Sequence, residues 1–293
     1  MADIPSSPLE QFSTAIAGIV AAASRSVVAV HAGRSRASGF AWRDGLVVTS
    51  DEALPDDDSV TVLLPGGAST PATVVGRDAS TDIALLRIEG TALPPIALDA
   101  APASAGAIAL AVGSLGGSAL SAAGTVSLAG PAWRSLRGGE IDSRIELDLA
   151  LRRSAEGGVV LDARGRGLGM AVFGPRQRVL VIPAATIERV ATTLERHGRV
   201  PRGYLGLALQ PVKLEAEGIG AMVMGVAAGG PAAAAGMRQG DVIVAWNGQP
   251  VRHVQSLLRA LGPASVGTVV VLSLRRAGEP AEARLSVGER PAD

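Results

Sequence analysis

Chemistry that needs an imidazole has three places to come from in this chain, His31, His197 and His253, and chemistry that needs a thiol has none. The absence of cysteine removes thiol nucleophiles, disulfides and cysteine metal sites together, and it carries no information on compartment. Hydroxyls and carboxylates remain. The densest acidic stretch, Asp51 and Glu52 followed by Asp56, Asp57 and Asp58, resembles a cation site at first reading. It lacks the alternate ligands, central glycine and closing glutamate of an EF-hand loop, so it reads as a solvated loop between strands.

The elements that must position such groups follow from composition and pattern. A length of 293 residues suits two domains of ordinary size or one large barrel, and excludes a single small module. Lys and Arg total 27 and Asp and Glu total 27, so no net charge draws the chain to DNA, RNA or an anionic membrane. Hydrophobic residues make up 47% and aromatics 2%, which leaves the core to Val, Leu, Ile and Ala. Near the N-terminus the one extended apolar stretch, 15–23, follows Asp3 and Glu10 where an export signal would carry Lys or Arg, so no signal peptide is expected. No run reaches the ~20 apolar residues of a membrane span. Phe12, Ile16, Ile19 and Val20 instead share one face of a short amphipathic helix.

Short β-branched runs then take over: SVVAVHA (26–32), GLVVTS (45–50), SVTVLL (59–64), PATVVGR (71–77) and DIALLRI (82–88). They continue as GAIALAVG (106–113), GTVSLAG (124–130), RIELDLA (144–150), GGVVLD (157–162), GLGMAVFG (167–174) and RVLVIP (178–183). Gly, Pro, Asp and Ser clusters separate them at about ten-residue spacing, the rhythm of antiparallel sandwiches and barrels, and eleven or so strands suit two small β-modules in tandem. A helix is expected from Pro183 to about His197, stopped by Gly198. Past Pro201 a separate unit begins, with strands in RGYLGLALQPV, GAMVMGV, GDVIVAWNGQPV and TVVVLSLRR and a helix over Val254–Leu261.

Five segments in order carry a resemblance: GLVVTSDEAL, GRDASTDIALLRIEG, LDLALRRSAEGGVVLDARGRGLGMAVFG, VIPAATIERVATTLERHGRVPRGYLGLALQPV and GPAAAAGMRQGDVIVAWNGQPV. On these the chain resembles the HtrA/DegP family, which implies a mainly β fold: a trypsin-like double antiparallel β-barrel followed by a C-terminal α+β PDZ domain. The implied division is an N-terminal segment and helix (1–24), the double barrel (25–183), a linker helix (184–201) and the PDZ domain (202–290).

The departures from the family pattern bear most on function. The resemblance places Glu52 where the family carries its general-base histidine, Asp82 where an aspartate orients that histidine, and Glu156 where the nucleophilic serine stands, with Ser154 two residues before it. A serine hydrolase needs a hydroxyl to attack, a base to shuttle its proton and donors for the oxyanion. Two of these groups are replaced by carboxylates, and by the resemblance none of the three histidines approaches the cleft. A non-catalytic protease-fold protein is therefore expected, with a scaffold, chaperone-like or quality-control role. The alternative is an active HtrA-type endopeptidase with noncanonical residues, in which Ser154 attacks with Glu52 as base.

If the barrels close as in the family, Glu52, Asp82 and Glu156 converge. Like charges at short range raise a pKa or attract a cation. Arg152 and Arg153, or a hard divalent cation, would neutralise them; the expectation is no metal and no cofactor. In the PDZ domain, Tyr204, Leu205, Gly206 and Leu207 resemble the loop that receives a peptide's terminal carboxylate, Ala208–Pro211 the edge strand, and Val254, Leu257, Leu258 and Leu261 the flanking helix face, of which Leu257 is taken as the peptide contact. The implied partners are peptide or protein C-termini, and homo- or hetero-oligomers with HtrA-like subunits. Neither nucleic acid nor a membrane span is expected. The family points to the periplasm or cell envelope, and the missing export signal to the cytoplasm if the chain is complete.

Overall fold

The computed structural model describes residues 7–55, 59–214 and 218–291, and the chain divides into two compact units after Val200. The acidic run Asp56–Asp58 lies outside the described residues.

The first unit opens with α1 (Pro8–Ser24), whose start is fixed locally. The Ser7 hydroxyl accepts from the Glu10 amide and the Glu10 carboxylate accepts from the Ser7 amide, a reciprocal cap with Pro8 as the first helical residue. Six strands follow: β1 (Val27–Ala32), β2 (Ser35–Arg43), β3 (Leu46–Thr49), β4 (Val60–Leu63), β5 (Ser69–Asp78) and β6 (Ile83–Ile88). They close into an antiparallel barrel in the order β1-β2-β3-β6-β5-β4. A second closed barrel has the order β11-β14-β13-β12-β7-β8, from β7 (Ile108–Leu115), β8 (Ser118–Gly130), β11 (Arg144–Asp148), β12 (Val159–Asp162), β13 (Gly167–Phe173) and β14 (Val179–Pro183). The short pair β9 (Trp133–Arg134) and β10 (Glu140–Ile141) stands apart from it. The helix α2 (Ala184–His197) ends at Gly198, which takes the left-handed φ of 70° that a Schellman-type cap requires.

Two of the longer strands elude the sequence pattern: β2 here, and β21 (Glu279–Ser286) in the second unit. SRASGFAWR holds β2, with Gly39 midway, and its polar first half hides a run that is buried from Ala37 to Trp42. Gly39 is there because a Cβ would meet Val47 Cγ1 at 2.8 Å and Val48 O at 2.9 Å across the sheet.

Each barrel has its own aliphatic core, and a third cluster joins them. Val30, Val47, Val62 and Leu86 fill the first barrel; Ala111, Val126, Val160 and Val181 fill the second. Between them Phe40, Leu85, Leu110, Leu161, Ile187 and Leu194 form one continuous cluster, all 1% exposed or less. Burial of each large side chain contributes roughly 1.5–3 kcal/mol, so the contact between barrels is as firm as either interior. A rigid junction is what allows loops from both barrels to meet in a fixed geometry.

The second unit is a small sheet with two short helices. β15 (Gly203–Tyr204) pairs with β22 (Gly288–Glu289). The main sheet runs β16-β17-β18-β20-β21, from β16 (Leu207–Leu214), β17 (Gly218–Val226), β18 (Val242–Trp246), β20 (Val269–Arg276) and β21 (Glu279–Ser286), with β19 (Gln249–Pro250) on β18. Among the described residues β16 has a partner on one side only, and Pro211 lies midway along it. α3 (Pro231–Ala234) and α4 (Val254–Ala260) complete the unit, and α4 packs beside β16.

Candidate functional site

Thr49 ends β3, and the next residues turn sharply under the control of one arginine. Arg77, on β5, pairs with the buried Asp51 carboxylate and donates to the carbonyls of Asp51 (3.1 Å) and Leu54 (2.6 Å). The turn therefore presents Glu52 in one place. Opposite it, Asp78 accepts from the Ser80 amide and from the hydroxyls of Ser80 and Thr81, an aspartate-led turn that delivers Asp82 at a φ of 58°. The Asp82 carboxylate accepts from the Ser50 hydroxyl at 2.9 Å and from the Glu52 amide at 2.8 Å.

Burial raises the Asp82 pKa to about 7 against the counteracting Glu52 amide and Ser50 hydroxyl, and the charges of Glu52 and Glu156 raise it further. Burial is also the main cause that lifts Glu156; the Phe173 amide and Arg153 oppose it, and Glu52 adds to it. Glu52, Asp82 and Glu156 thus lie near enough to feel one another. Arg153 offsets Glu156, but the ion-pair partner of Glu52 is Arg137, at 3.3 Å. Arg152 makes no ion pair with these acids among the described residues. No group of three or more side chains there has metal-ligand geometry.

The segment that carries Glu156 is a 3-10 turn, Arg153–Ala155. Two of its amides are committed internally: the Ala155 amide donates to Arg152 O at 2.9 Å, and the Glu156 amide to Arg153 O at 3.1 Å. Ser38 anchors it, donating its amide to Glu156 O at 2.8 Å and its hydroxyl to Ser154 O at 2.6 Å, while accepting from the Ser114 amide at 2.8 Å. Gly113 and Gly157 are forced by this closeness: a Cβ on Gly113 would meet Ala155 Cα at 2.7 Å, and one on Gly157 would meet Ser38 O at 2.3 Å. No hydrogen bond joins the Ser154 hydroxyl to Glu52 among the described residues. Chemically, the cluster offers carboxylates, a Glu156 amide already committed and one hydroxyl on a carboxylate, Ser50 on Asp82, with no imidazole beside them.

Glu52 and Asp82 open onto a cavity of about 770 Å³ between the barrels. None of the histidines lines it. His31 is in β1, His197 ends α2, and His253 precedes α4.

In the second unit, Gly206 adopts a φ of 76° between β15 and β16, with the Leu205 carbonyl accepting from Ala232 (2.9 Å) and its own carbonyl from Ala227 (2.8 Å). The amides of Leu205 and Gly206 donate to no acceptor among the described residues, so two adjacent N–H groups stand ready for an anion. Tyr204 and Leu207 are half-buried on either side. One side chain is placed differently from expectation. Leu205 and Leu257 are 3% and 1% exposed and belong to the core, so Leu257 is not free to touch a peptide. The periodic face of α4 divides instead: Leu257 points inward, Leu258 is 61% exposed, and Val254 is half-buried.

Residues 37–170 match the trypsin-like peptidase domain family, and residues 203–287 match the PDZ domain family. A protein of Rhizobium meliloti (strain 1021) called probable periplasmic serine endoprotease DegP-like is 31% identical over 279 residues, which are 89% of this chain and 54% of that protein. The chain is HtrA/DegP-like in both its domains. It spans about half the length of the curated relatives it matches. Two solved structures are similar over nearly the whole HtrA-like chain. A serine endoprotease from Yersinia pestis is 26% identical with a TM-score of 0.72, covering 99% of this chain and 100% of that one. The HtrA-type protease AlgW with tripeptide is 26% identical with a TM-score of 0.69, covering 95% and 98%.

Sequence reasoning on this HtrA-like chain missed Ser38, Ser50, Arg77 and Arg137. Ser50 adjoins Asp51 and Glu52, so a hydroxyl next to an acid pair was a visible signal. The other three act on groups more than 20 residues away along the chain and leave no local trace.

Proposed function

We propose that this chain is a non-catalytic HtrA-like protein that binds peptide or protein C-termini through its PDZ unit in a scaffold, chaperone-like or quality-control role. The observation that carries the reading is the cluster itself: Glu52, Asp82 and Glu156 meet with no imidazole, and the hydroxyl of Ser154 is bonded to none of them among the described residues. The committed Glu156 amide supports it, because an oxyanion needs donors not already used. Loss of a nucleophile or base removes about 10⁶ in turnover in a well-studied serine protease. Glu52, Asp82 and Glu156 are accordingly taken as the positions where a triad would stand.

The free amides of Leu205 and Gly206, beside the open edge of β16, support capture of a terminal carboxylate followed by strand addition. AlgW structures with a tripeptide or a decapeptide fit the same reading. Association with HtrA-like subunits rests on α1, where Leu9 and Phe12 remain 75% and 49% exposed. Curated relatives are described as periplasmic, which supports a periplasmic or envelope location.

The test is labelling with a fluorophosphonate probe together with hydrolysis of unfolded casein. Neither is expected. Hydrolysis that disappears in Ser154→Ala would overturn the reading in favour of an active endopeptidase using that serine.

A further inference from the structure

The inter-barrel cavity has a polarity that its three acids do not explain. Its floor is apolar, formed by Ile141, Val172, Leu180 and Ile182, with Trp133 at the wall. Five arginines line it against three carboxylates. Two of the five are set by one buried acid: Glu146, 7% exposed, accepts from Arg144 Nε at 2.8 Å and Arg178 Nη1 at 3.2 Å, so a single negative charge holds two guanidiniums in place. Arg137 spends its charge on Glu52. Arg176 has no carboxylate partner among the described residues and stands on an exposed turn with φ of 61°, a conformation that side-chain-bearing residues rarely adopt. Asp82, the remaining acid, is pushed toward its neutral form by burial.

The wall adds a donor. The Trp133 indole N–H is buried with no hydrogen-bond partner among the described residues, and the Arg144 guanidinium lies 5.6 Å from the centre of its ring. Leu136, in the turn between β9 and β10, is 95% exposed at the rim. The cations are all arginine, whose planar fork matches a carboxylate with two parallel bonds.

We propose that this cavity binds an extended acidic peptide segment, with an apolar side chain on the floor and glutamate or aspartate side chains on Arg176 and on the Arg144 and Arg178 pair. The proposal deepens the non-catalytic reading, on which it rests for one point only: the bound segment is not cut. The occupant is an acidic segment and not a nucleic acid, because the chain has no net charge and the apolar floor answers a side chain.

The experiment uses the whole chain and a short fluorescent peptide of alternating glutamate and leucine, acetylated and amidated so that it carries no terminal carboxylate for the PDZ loop. Fluorescence anisotropy should show binding that weakens with salt, while the glutamine counterpart should bind at least about tenfold more weakly. Arg176→Glu, a change on an exposed turn whose folding a thermal melt verifies, should cost about tenfold; Arg176→Lys should keep part of the affinity. Equal binding of the two peptides, no binding, or indifference to Arg176→Glu would each overturn the proposal. Mass spectrometry of the bound peptide separates the two readings: a cut glutamate peptide would sink the non-catalytic reading while leaving the acidic preference of the cavity standing.

Discussion

The backbone amide of Glu52 donates to the Asp82 carboxylate at 2.8 Å, and the side chain of the same Glu52 sets a negative charge beside it. One residue thus both holds and repels the acid. In a protease of this fold the acid's work is to orient an imidazole; here its carboxylate is occupied by Ser50 and a main-chain amide.

Burial carries the Asp82 carboxyl from 3.8 up to about 7. Its folded value therefore lies above its unfolded value, and between about pH 4 and pH 7 the folded protein holds a proton that the unfolded chain releases. Stability from this group falls as pH rises through that window. Asp82→Asn should stabilise the protein at about pH 8 by on the order of 3 kcal/mol, and by progressively less toward about pH 4. Urea unfolding midpoints of both proteins across this range test it; a difference that does not vary with pH would contradict the raised value.

Ser38→Ala should loosen the 153–156 turn. The substitution removes the donor to Ser154 O and the acceptor of the buried Ser114 amide. A buried amide left without an acceptor costs about 1–3 kcal/mol, so a loss of about 2 kcal/mol is expected in chemical denaturation. Hydrogen exchange at the Ser114 amide should rise in the same variant, a readout that a general loss of packing would not confine to that position.

Gly206→Ala should impair the PDZ unit at its carboxylate loop. The residue's φ is 76°, and an added Cβ would stand 3.3 Å from Ala227 Cβ and 3.4 Å from Gly230 Cα. A cost of about 1 kcal/mol in stability is expected. Affinity for a peptide with a free C-terminal carboxylate should fall at least about tenfold, because the Leu205 and Gly206 amides would be displaced. An unaltered affinity by calorimetry would remove this loop from the binding site.

The order of strands was legible because hydrophobic alternation and glycine-rich turns follow local rules, and the same segments carried the family likeness. β2 was not, since Ser35, Arg36, Ser38 and Gly39 read as a loop and become a strand only by pairing with β1 and β3. The acids Glu52, Asp82 and Glu156 were visible from motif position. Arg137 and Ser38 were not, because their roles exist only once β9 and β2 are folded against the other loops. Leu257 misled for a related reason: helical periodicity gives a face, and only packing decides which of two neighbouring leucines turns inward.

The open side of β16 has a further consequence. An unpaired strand edge recruits any extended chain, another copy of the same protein included, and long edges seed aggregation. Pro211 has no N–H to offer, and on an edge strand a proline sits with its nitrogen toward the open side. Lys213, the chain's single lysine, follows two residues later with a charge. The row of donors is therefore broken after Gln210. What remains is long enough to grip the last few residues of a guest, and too short to let one copy's sheet grow into the next.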